Sequence, residues 1–248
     1  MARTIIIGGG PAGLSAAYFG RVNDFDVTLI EAVDSDKNPS KPCGEAIPEF
    51  IFDYLPKDLE RDFILNHIKR AHFYFNGKFV REFKNMPLIN GFVIDKKLFL
   101  FRLAESAEAM GAKLIWNKFI NPARTNELMH DYDLVIDATG KGSLARRFID
   151  YSNYKTIPVL QAYANGDGVP DDTIVLWGID KGYAWVFPRG DIFNIGVGGV
   201  YRDPVYLRET LEDILRHFKL KLISDLRGSA VSVGGPIKKL SYRNLRVI

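Results

Sequence analysis

The sequence has one cysteine, Cys43, and four histidines, His67, His72, His130 and His217, scattered without metal-ligand spacing. The single thiol excludes an internal disulfide, and no metal is expected. No apolar run is long enough to cross a bilayer. The apolar region from Ile5 to Phe19 is interrupted by Gly8-Gly9-Gly10-Pro11 and reads as core, not as a leader peptide. Repeats and low-complexity tracts are missing. An excess of one charge sign is missing: 33 Lys and Arg stand against 30 Asp and Glu, and the net charge of +3 is spread along the 248 residues with no arginine-rich block. That excludes the usual electrostatic footprint of a nucleic-acid binder, and no nucleic-acid partner is expected. With 47% hydrophobic and 25% charged residues the composition is that of an ordinary globular protein. A reducing, cytoplasmic setting fits, and peripheral membrane contact stays open because it needs only a surface patch.

What is present begins with a β-branched run, Thr4-Ile5-Ile6-Ile7, followed by Gly8-Gly9-Gly10-Pro11-Ala12-Gly13 and an Ala- and Leu-containing stretch to Arg21. The order strand, glycine turn, helix carries G-x-G-x-x-G at Gly8, Gly10 and Gly13, which lets a pyrophosphate approach a helix N-terminus. A second strand, Asp26 to Ile30, ends in Glu31, placed to bond a ribose. An acid there disfavours a 2′-phosphate, leaving FAD or NAD over NADP. A later strand, Asp133 to Asp137, stops at Ala138-Thr139-Gly140. This reads either as a second backbone turn at the nucleotide edge or as an ordinary strand-to-helix turn.

Between these lies a loop, Asp34 to Pro48, containing Lys41-Pro42-Cys43-Gly44-Glu45-Ala46. Pro39 and Pro42 hold it extended, and Gly44 opens backbone conformations closed to other residues. Cys43 is either a small buried apolar side chain or a thiol beside the cofactor. Glu49 to His67 reads as a helix broken by Pro56. Ile68 to Phe75 and Lys78 to Phe83 read as a hairpin turning at Asn76-Gly77. Val93 to Met110 reads as a helix capped by Gly111, Lys113 to Trp116 as a strand, and Pro204 to Leu220 as an amphipathic core helix. Gly234-Gly235-Pro236-Ile237 leads to a final strand at Leu245 to Ile248.

From Pro158 to Val200 short antiparallel strands are expected. Tyr183, Trp185 and Phe187 share one face of a strand, with Ala184 and Val186 on the other. Pro188-Arg189-Gly190-Asp191 reads as the turn of a hairpin, which sets 183 opposite 196, 185 opposite 194 and 187 opposite 192. Gly196 and Gly198 beside the rings leave a slot for something flat or long and apolar. The competing reading is ordinary packing of an aromatic over a cross-strand glycine.

Taken together, the glycine turn, the K-P-C-G-E-A loop, Val93-Ile94-Asp95, the A-T-G turn and Y-x-W-x-F-P followed by G-x-G resemble the geranylgeranyl reductases. The resemblance implies an α/β (α+β overall) fold of the p-hydroxybenzoate-hydroxylase type. A Rossmann-like FAD-binding domain (1–67, 88–150 and 235–248) would carry an inserted antiparallel-sheet substrate domain (68–87 and 151–234). It implies an FAD-dependent oxidoreductase that saturates carbon-carbon double bonds of isoprenoid lipid chains. Gly8, Gly10, Ala12, Gly13 and Glu31 would hold FAD, with Gly140 at the second turn and Cys43, Gly44 and Glu45 beside the flavin ring. Cys43 would act in catalysis, and Tyr183, Trp185, Phe187, Gly196 and Gly198 would line the prenyl cavity. Lys96 stands where the family has an arginine, keeping the charge but losing the planar fork. The family continues from a strand like Leu245 to Ile248 into a G-D-A motif, so the expectation is an FAD site incomplete at its C-terminal side. A nicotinamide or a ferredoxin-like carrier would supply electrons. The alternatives are a truncated flavoprotein with impaired turnover, or a hydroxylase or halogenase of the same superfamily.

Overall fold

The computed structural model describes residues 1–34, 42–151, 155–200, 204–234 and 237–248. Pro39 and Lys41 of the loop reading, and Gly235 and Pro236 of the last segment, lie outside the described residues. In chain order, β1 (Arg3–Ile7), α1 (Pro11–Val22) and β2 (Asp26–Ile30) open the fold, and β3 (Ala46–Pro48) follows the loop. Next come β4 (Ile64–Ile68), β5 (Arg70–Phe75), β6 (Lys78–Lys84), β7 (Gly91–Ile94), α2 (Lys96–Ala109) and β8 (Lys113–Ile115). The middle holds α3 (Thr125–Asp131), β9 (Leu134–Asp137), β10 (Thr156–Asn165), β11 (Thr173–Ile179), β12 (Gly182–Arg189) and β13 (Ile192–Gly199). The chain closes with α4 (Pro204–His217), β14 (Lys221–Leu222), β15 (Arg227–Ser232), β16 (Ser241–Tyr242) and β17 (Leu245–Val247).

The first sheet has the order β16-β17-β9-β1-β2-β8, and β17, β9, β1, β2 and β8 run parallel. Alternation in β1 buries both faces: Ile6 packs with Leu14, Leu29 and Leu103 under α1 and α2, whereas Ile5 and Ile7 pack with Val135, Leu144 and Leu245. Because these strands are parallel, Gly8, Glu31, Ala138 and Ile248 follow them at one edge, the edge where α/β sheets bind ligands.

The second sheet is antiparallel except for the β5–β11 pair, in the order β14-β10-β13-β12-β11-β5-β6, with β15 also on β10. One face, with Ala184, Val186, Ile195 and Val197, is sealed by Leu207, Leu211 and Ile214 of α4. The opposite face carries Trp185, Phe187, Ile174 and Ala71 against Ile68 and Val93. A small sheet, β3-β7-β4, lies on that side, so the ring-bearing face is turned toward the first half of the molecule.

Three expectations change. The stretch from Glu49 to His67 is a 3-10 turn only to Tyr54, and its end becomes β4 because pairing with β7 outweighs local helical preference. The helix expected from Val93 begins at Lys96: Val93 pairs in β7, and Asp95 caps α2 by accepting from the amides of Lys97 (2.9 Å) and Leu98 (3.1 Å). The aromatic hairpin is shifted by two residues: Tyr183 faces Gly198, Trp185 faces Gly196, Phe187 faces Asn194 and Arg189 faces Ile192. The ladder runs through Pro188 and Arg189, and Gly190 (φ +60°) supplies the turn. The shift is even, so the three rings keep a common face while their partners change. The Asn76-Gly77 hairpin forms as expected, with both residues at positive φ.

Arg70 at the start of β5 grips Asp172 before β11, with Nε 3.1 Å from both carboxylate oxygens. The Arg70 hydrogen bond holds the Asp172 carboxyl below its ordinary value. Its stabilisation is therefore present above the unfolded aspartate value of about 3.9 and is lost as pH falls through the lower folded value. Both side chains are about one-third exposed, so solvent screens the pair. Asp172→Asn should lower stability slightly in urea melts at neutral pH, and the difference from wild type should shrink as the melts are repeated below about pH 4.

Candidate functional site

The carboxyl ends of the parallel strands enclose a cleft of about 520 Å³, lined by Gly8, Gly10, Ala12, Glu31, Thr139 and Gly140 among others. Each glycine of the turn has a different duty. Gly8 adopts φ +115°, and a Cβ there would lie 2.4 Å from the Ala138 carbonyl oxygen. A Cβ on Gly13 would lie 1.8 Å from the Gly8 oxygen, so this glycine lets α1 touch β1. A Cβ on Gly10 would meet nothing within 4 Å; its open face looks into the cleft. Gly10 is also the N-cap of α1, no side chain caps that end, and Pro11 follows. The uncapped helix start suits an anion.

Glu31 is buried, and its carboxylate accepts from the Gly9 amide (2.6 Å) and the Val33 amide (2.9 Å). A carboxylate has about four acceptor positions, so two remain for sugar hydroxyls. Opposite, buried Asp137 accepts from the Thr139 amide (3.1 Å) and hydroxyl (2.6 Å) and from the Ala145 amide (2.9 Å). These bonds shape the A-T-G turn, whose Gly140 has φ +68° and open space beside it. The residues fit a dinucleotide. Gly13 supports this cradle from behind.

Cys43, Gly44, Glu45 and Lys96 are not on that cleft; they gather at the aromatic hairpin. A Cβ on Gly44 would lie 2.8 Å from the Phe187 ring, so the loop rests flat on the wall. The positive φ expected near Gly44 belongs instead to Glu45 (φ +61°). Cys43 is exposed, which overturns the reading of a buried apolar cysteine. Its Sγ accepts from the Glu45 amide at 3.4 Å. Glu45 is buried and accepts from Arg189 Nε (2.7 Å), Asn194 Nδ2 (3.1 Å) and the Lys96 amide (3.4 Å). Arg189 also donates to Asp95 (3.0 Å) and lies over the Tyr163 ring. Burial opposes the Arg189 charge, but the bond to Glu45 and the charges of Glu45 and Asp95 outweigh it and hold its pKa above the ordinary value.

The wall itself is mostly filled. Trp185 and Phe187 are buried, and a Cβ on Gly196 would lie 2.2 Å from Trp185 Cζ2. The Trp185 indole covers Gly196, so no open slot lies there; a Cβ on Gly198 would likewise lie 2.6 Å from Val159 Cγ1. Tyr183 is the accessible ring, at 51% exposure, with its centroid 5.9 Å from that of Trp185. The buried half of the ring, reinforced by neighbouring Cys43, pushes the Tyr183 phenol up, so it keeps its proton at neutral pH.

Four residues given no site role from the sequence complete the site: Asn194, Arg189, Gln161 and Asp95 as a cap. Asn194 carried a signal, being a polar residue inside an apolar strand and on the same face as Gly196 and Gly198. Arg189 carried none, because it read as part of a turn.

A model of an NAD(P)-binding Rossmann-like domain matches residues 6–35. A digeranylgeranylglycerophospholipid reductase of Methanococcus vannielii is 28% identical, over 98% of this chain and 68% of its own length. The structure of a geranylgeranyl bacteriochlorophyll reductase-like protein from Thermoplasma acidophilum superposes with a TM-score of 0.79 at 22% identity, covering 100% of this chain and 70% of the other. A flavin-dependent halogenase from Xanthomonas campestris gives a TM-score of 0.71 at 14% identity, covering 100% and 65%. The fold is that of a Rossmann-like domain joined to an antiparallel sheet, and along nearly its whole length the chain is similar to the geranylgeranyl reductases.

Proposed function

We propose that this chain carries the FAD and lipid sites of an oxidoreductase that saturates carbon-carbon double bonds of geranylgeranyl or related isoprenoid chains. The supporting observation is the seating of the Cys43 loop on the Tyr183-Trp185-Phe187 wall, in a chain that also has a dinucleotide cradle. Residues 1–67, 88–150 and 235–248 would form the nucleotide-binding unit, and 68–87 and 151–234 the lipid unit. Gly8, Gly10, Ala12, Glu31 and Gly140 would hold the pyrophosphate and ribose, with Gly13 behind them. When bound and reduced, FAD supplies a hydride.

An isolated alkene is unpolarised, so the protein must orient the chain and keep water away. The prenyl chain would lie along the exposed Tyr183 ring, backed by Trp185, which packs over Gly196, and by the buried Phe187. A second carbon needs a proton, and Cys43, exposed beside Tyr183, is assigned to that step or to ordering the flavin. Gly44, Glu45 and Lys96 would set the loop facing the flavin ring. Electrons would come from a nicotinamide or a ferredoxin-like carrier. The lipid brings the protein to a membrane surface as a peripheral partner; among the described residues no helix is long and apolar enough to cross one.

The test is to titrate the protein with FAD, reduce it, and follow a geranylgeranyl lipid by mass. A gain of two hydrogens per double bond supports the reading. Incorporation of oxygen or halide would move the assignment to the hydroxylase or halogenase chemistry, and failure to bind FAD would overturn it. Cys43→Ala should lower turnover by about tenfold to a hundredfold, within the range for a positioned proton-transfer group. Unchanged turnover and an unchanged flavin spectrum would remove Cys43 from the mechanism.

A further inference from the structure

We propose that Asn194 is a positioning residue whose side-chain amide ties the Cys43–Glu45 loop to Trp185 and so helps to set where the loop sits on the aromatic wall. Asn194 is fully buried. Its Oδ1 accepts from Trp185 Nε1 (3.1 Å) and Gln161 Nε2 (3.4 Å). Its Nδ2 donates to the Cys43 carbonyl (2.7 Å) and to Glu45 Oε2 (3.1 Å). Two acceptor positions and two N–H donors are the whole capacity of an amide, and all four are used.

The loop needs such a tie. Ahead of β3 the loop backbone is held at Glu45, whose carbonyl accepts from the Ile94 amide (2.9 Å), and Glu45 sits at φ +61°, a conformation unfavourable for a residue with a Cβ without compensation. Phe187 excludes a side chain at Gly44, and Arg189 and the Lys96 amide hold the Glu45 carboxylate, while at Cys43 the Asn194 amide bonds the loop carbonyl itself. Asn194 lies opposite Phe187 in the hairpin, two pairs along from Trp185 and Gly196 and on the same face. From there the same amide reads the indole on one side and the loop carbonyl on the other. Movement of Trp185 would take a donor from Oδ1, which couples the wall to the loop through one group. The consequence for turnover rests on the proposed lipid site; the tie itself does not.

The titratable groups around this amide are Glu45 and Cys43 of the loop, which it bonds, Arg189 of β12 and Asp95 at the α2 cap, which join Glu45 in one ion-paired chain, and Tyr163 of β10, which interacts with Glu45, Arg189 and Arg227 of β15. Asn194→Asp keeps the shape but turns an oxygen toward Glu45 Oε2, in place of a donor that stands 3.1 Å away. Two carboxylates at that distance share a proton as pH falls. Hydrogen exchange of the 42–48 peptide reads the loop directly, with thermal melts and exchange of β10 to β13 as the folding control.

The expected result is exchange about tenfold faster than wild type at about pH 8, returning toward wild type near pH 5, where a shared proton restores a donor. Adding Glu45→Gln to Asn194→Asp should recover most of the protection at pH 8, because it removes the opposed charge. Turnover on a prenyl lipid should follow the loop, with kcat falling more than KM. Wild-type exchange in Asn194→Asp at both pH values would overturn the proposal. So would loosening that spreads equally over β12 and β13 and is not relieved by Glu45→Gln. A wild-type protein without lipid turnover would defeat the proposed function and leave the exchange result to judge Asn194.

Discussion

Gly13→Ala is expected to lower the melting temperature by about 6–12 °C, while Gly10→Ala leaves folding nearly intact and weakens dinucleotide binding by at least about tenfold. The two substitutions add the same methyl group three residues apart. At Gly13 the Cβ would lie 1.8 Å from the Gly8 carbonyl oxygen and 3.0 Å from its carbon. Those are backbone atoms, and Gly8 is itself tied by its amide to the Ile30 oxygen at 2.9 Å. Neither side can yield without parting α1 from β1, so the cost is at the upper end of overpacking, about 3 kcal/mol. At Gly10 the Cβ meets nothing within 4 Å, and the backbone (φ −76°, ψ −178°) is open to alanine. Only the weaker N-cap preference is lost, under about 1 kcal/mol. The methyl group would stand where a pyrophosphate approaches the first amides of α1. Thermal melts and FAD titration of both variants check the contrast. Full dinucleotide affinity in Gly10→Ala would show that the ligand does not lie on that face.

Trp185→Ala is expected to cost about 3–5 kcal/mol of stability, the range for emptying a buried aromatic site. The ring fills the space over Gly196, and its Nε1–H is one of two donors on Asn194 Oδ1. Trp185→Phe separates the two losses. It keeps a ring over the glycine and deletes the hydrogen bond, for about 1–2 kcal/mol. Trp185 does not line the nucleotide cleft, so FAD retention should be close to wild type in the phenylalanine variant. Lipid turnover should fall by about tenfold or more, since a tenfold change corresponds to only ~1.4 kcal/mol of misplacement. Equal loss of flavin and of turnover would make the wall a packing feature. Urea unfolding, flavin absorbance and lipid mass shift are the three measurements.

The register error in the aromatic hairpin marks where sequence reasoning stops. Pro188 and Gly190 both belong to turn vocabulary, and a turn beginning at Pro188 satisfied every local rule. The ladder nevertheless runs to Arg189, whose guanidinium is held by a pair of carboxylates from distant segments, Glu45 and Asp95. No local pattern reports that. The helix read over Glu49 to His67 failed for a similar reason: β4 exists because β7 is there to pair with it.

Local chemistry was enough where one residue type alone can do the job. The glycine turn and the Asn76-Gly77 hairpin each follow from backbone sterics within a few residues, so they stand in the sequence itself. The common face of Tyr183, Trp185 and Phe187 follows equally from the two-residue period of a strand, which an even shift of register leaves intact. Tertiary packing decided the rest. It filled the space over Gly196 with the indole, exposed Cys43, and separated the cradle residues from the group at the wall. It also brought Asn194, Glu45, Arg189 and Asp95, drawn from four stretches of chain, into one hydrogen-bonded cluster. Such a cluster depends on distances between elements that no local preference encodes, because burying a charge is tolerable only where folding has already supplied its partner.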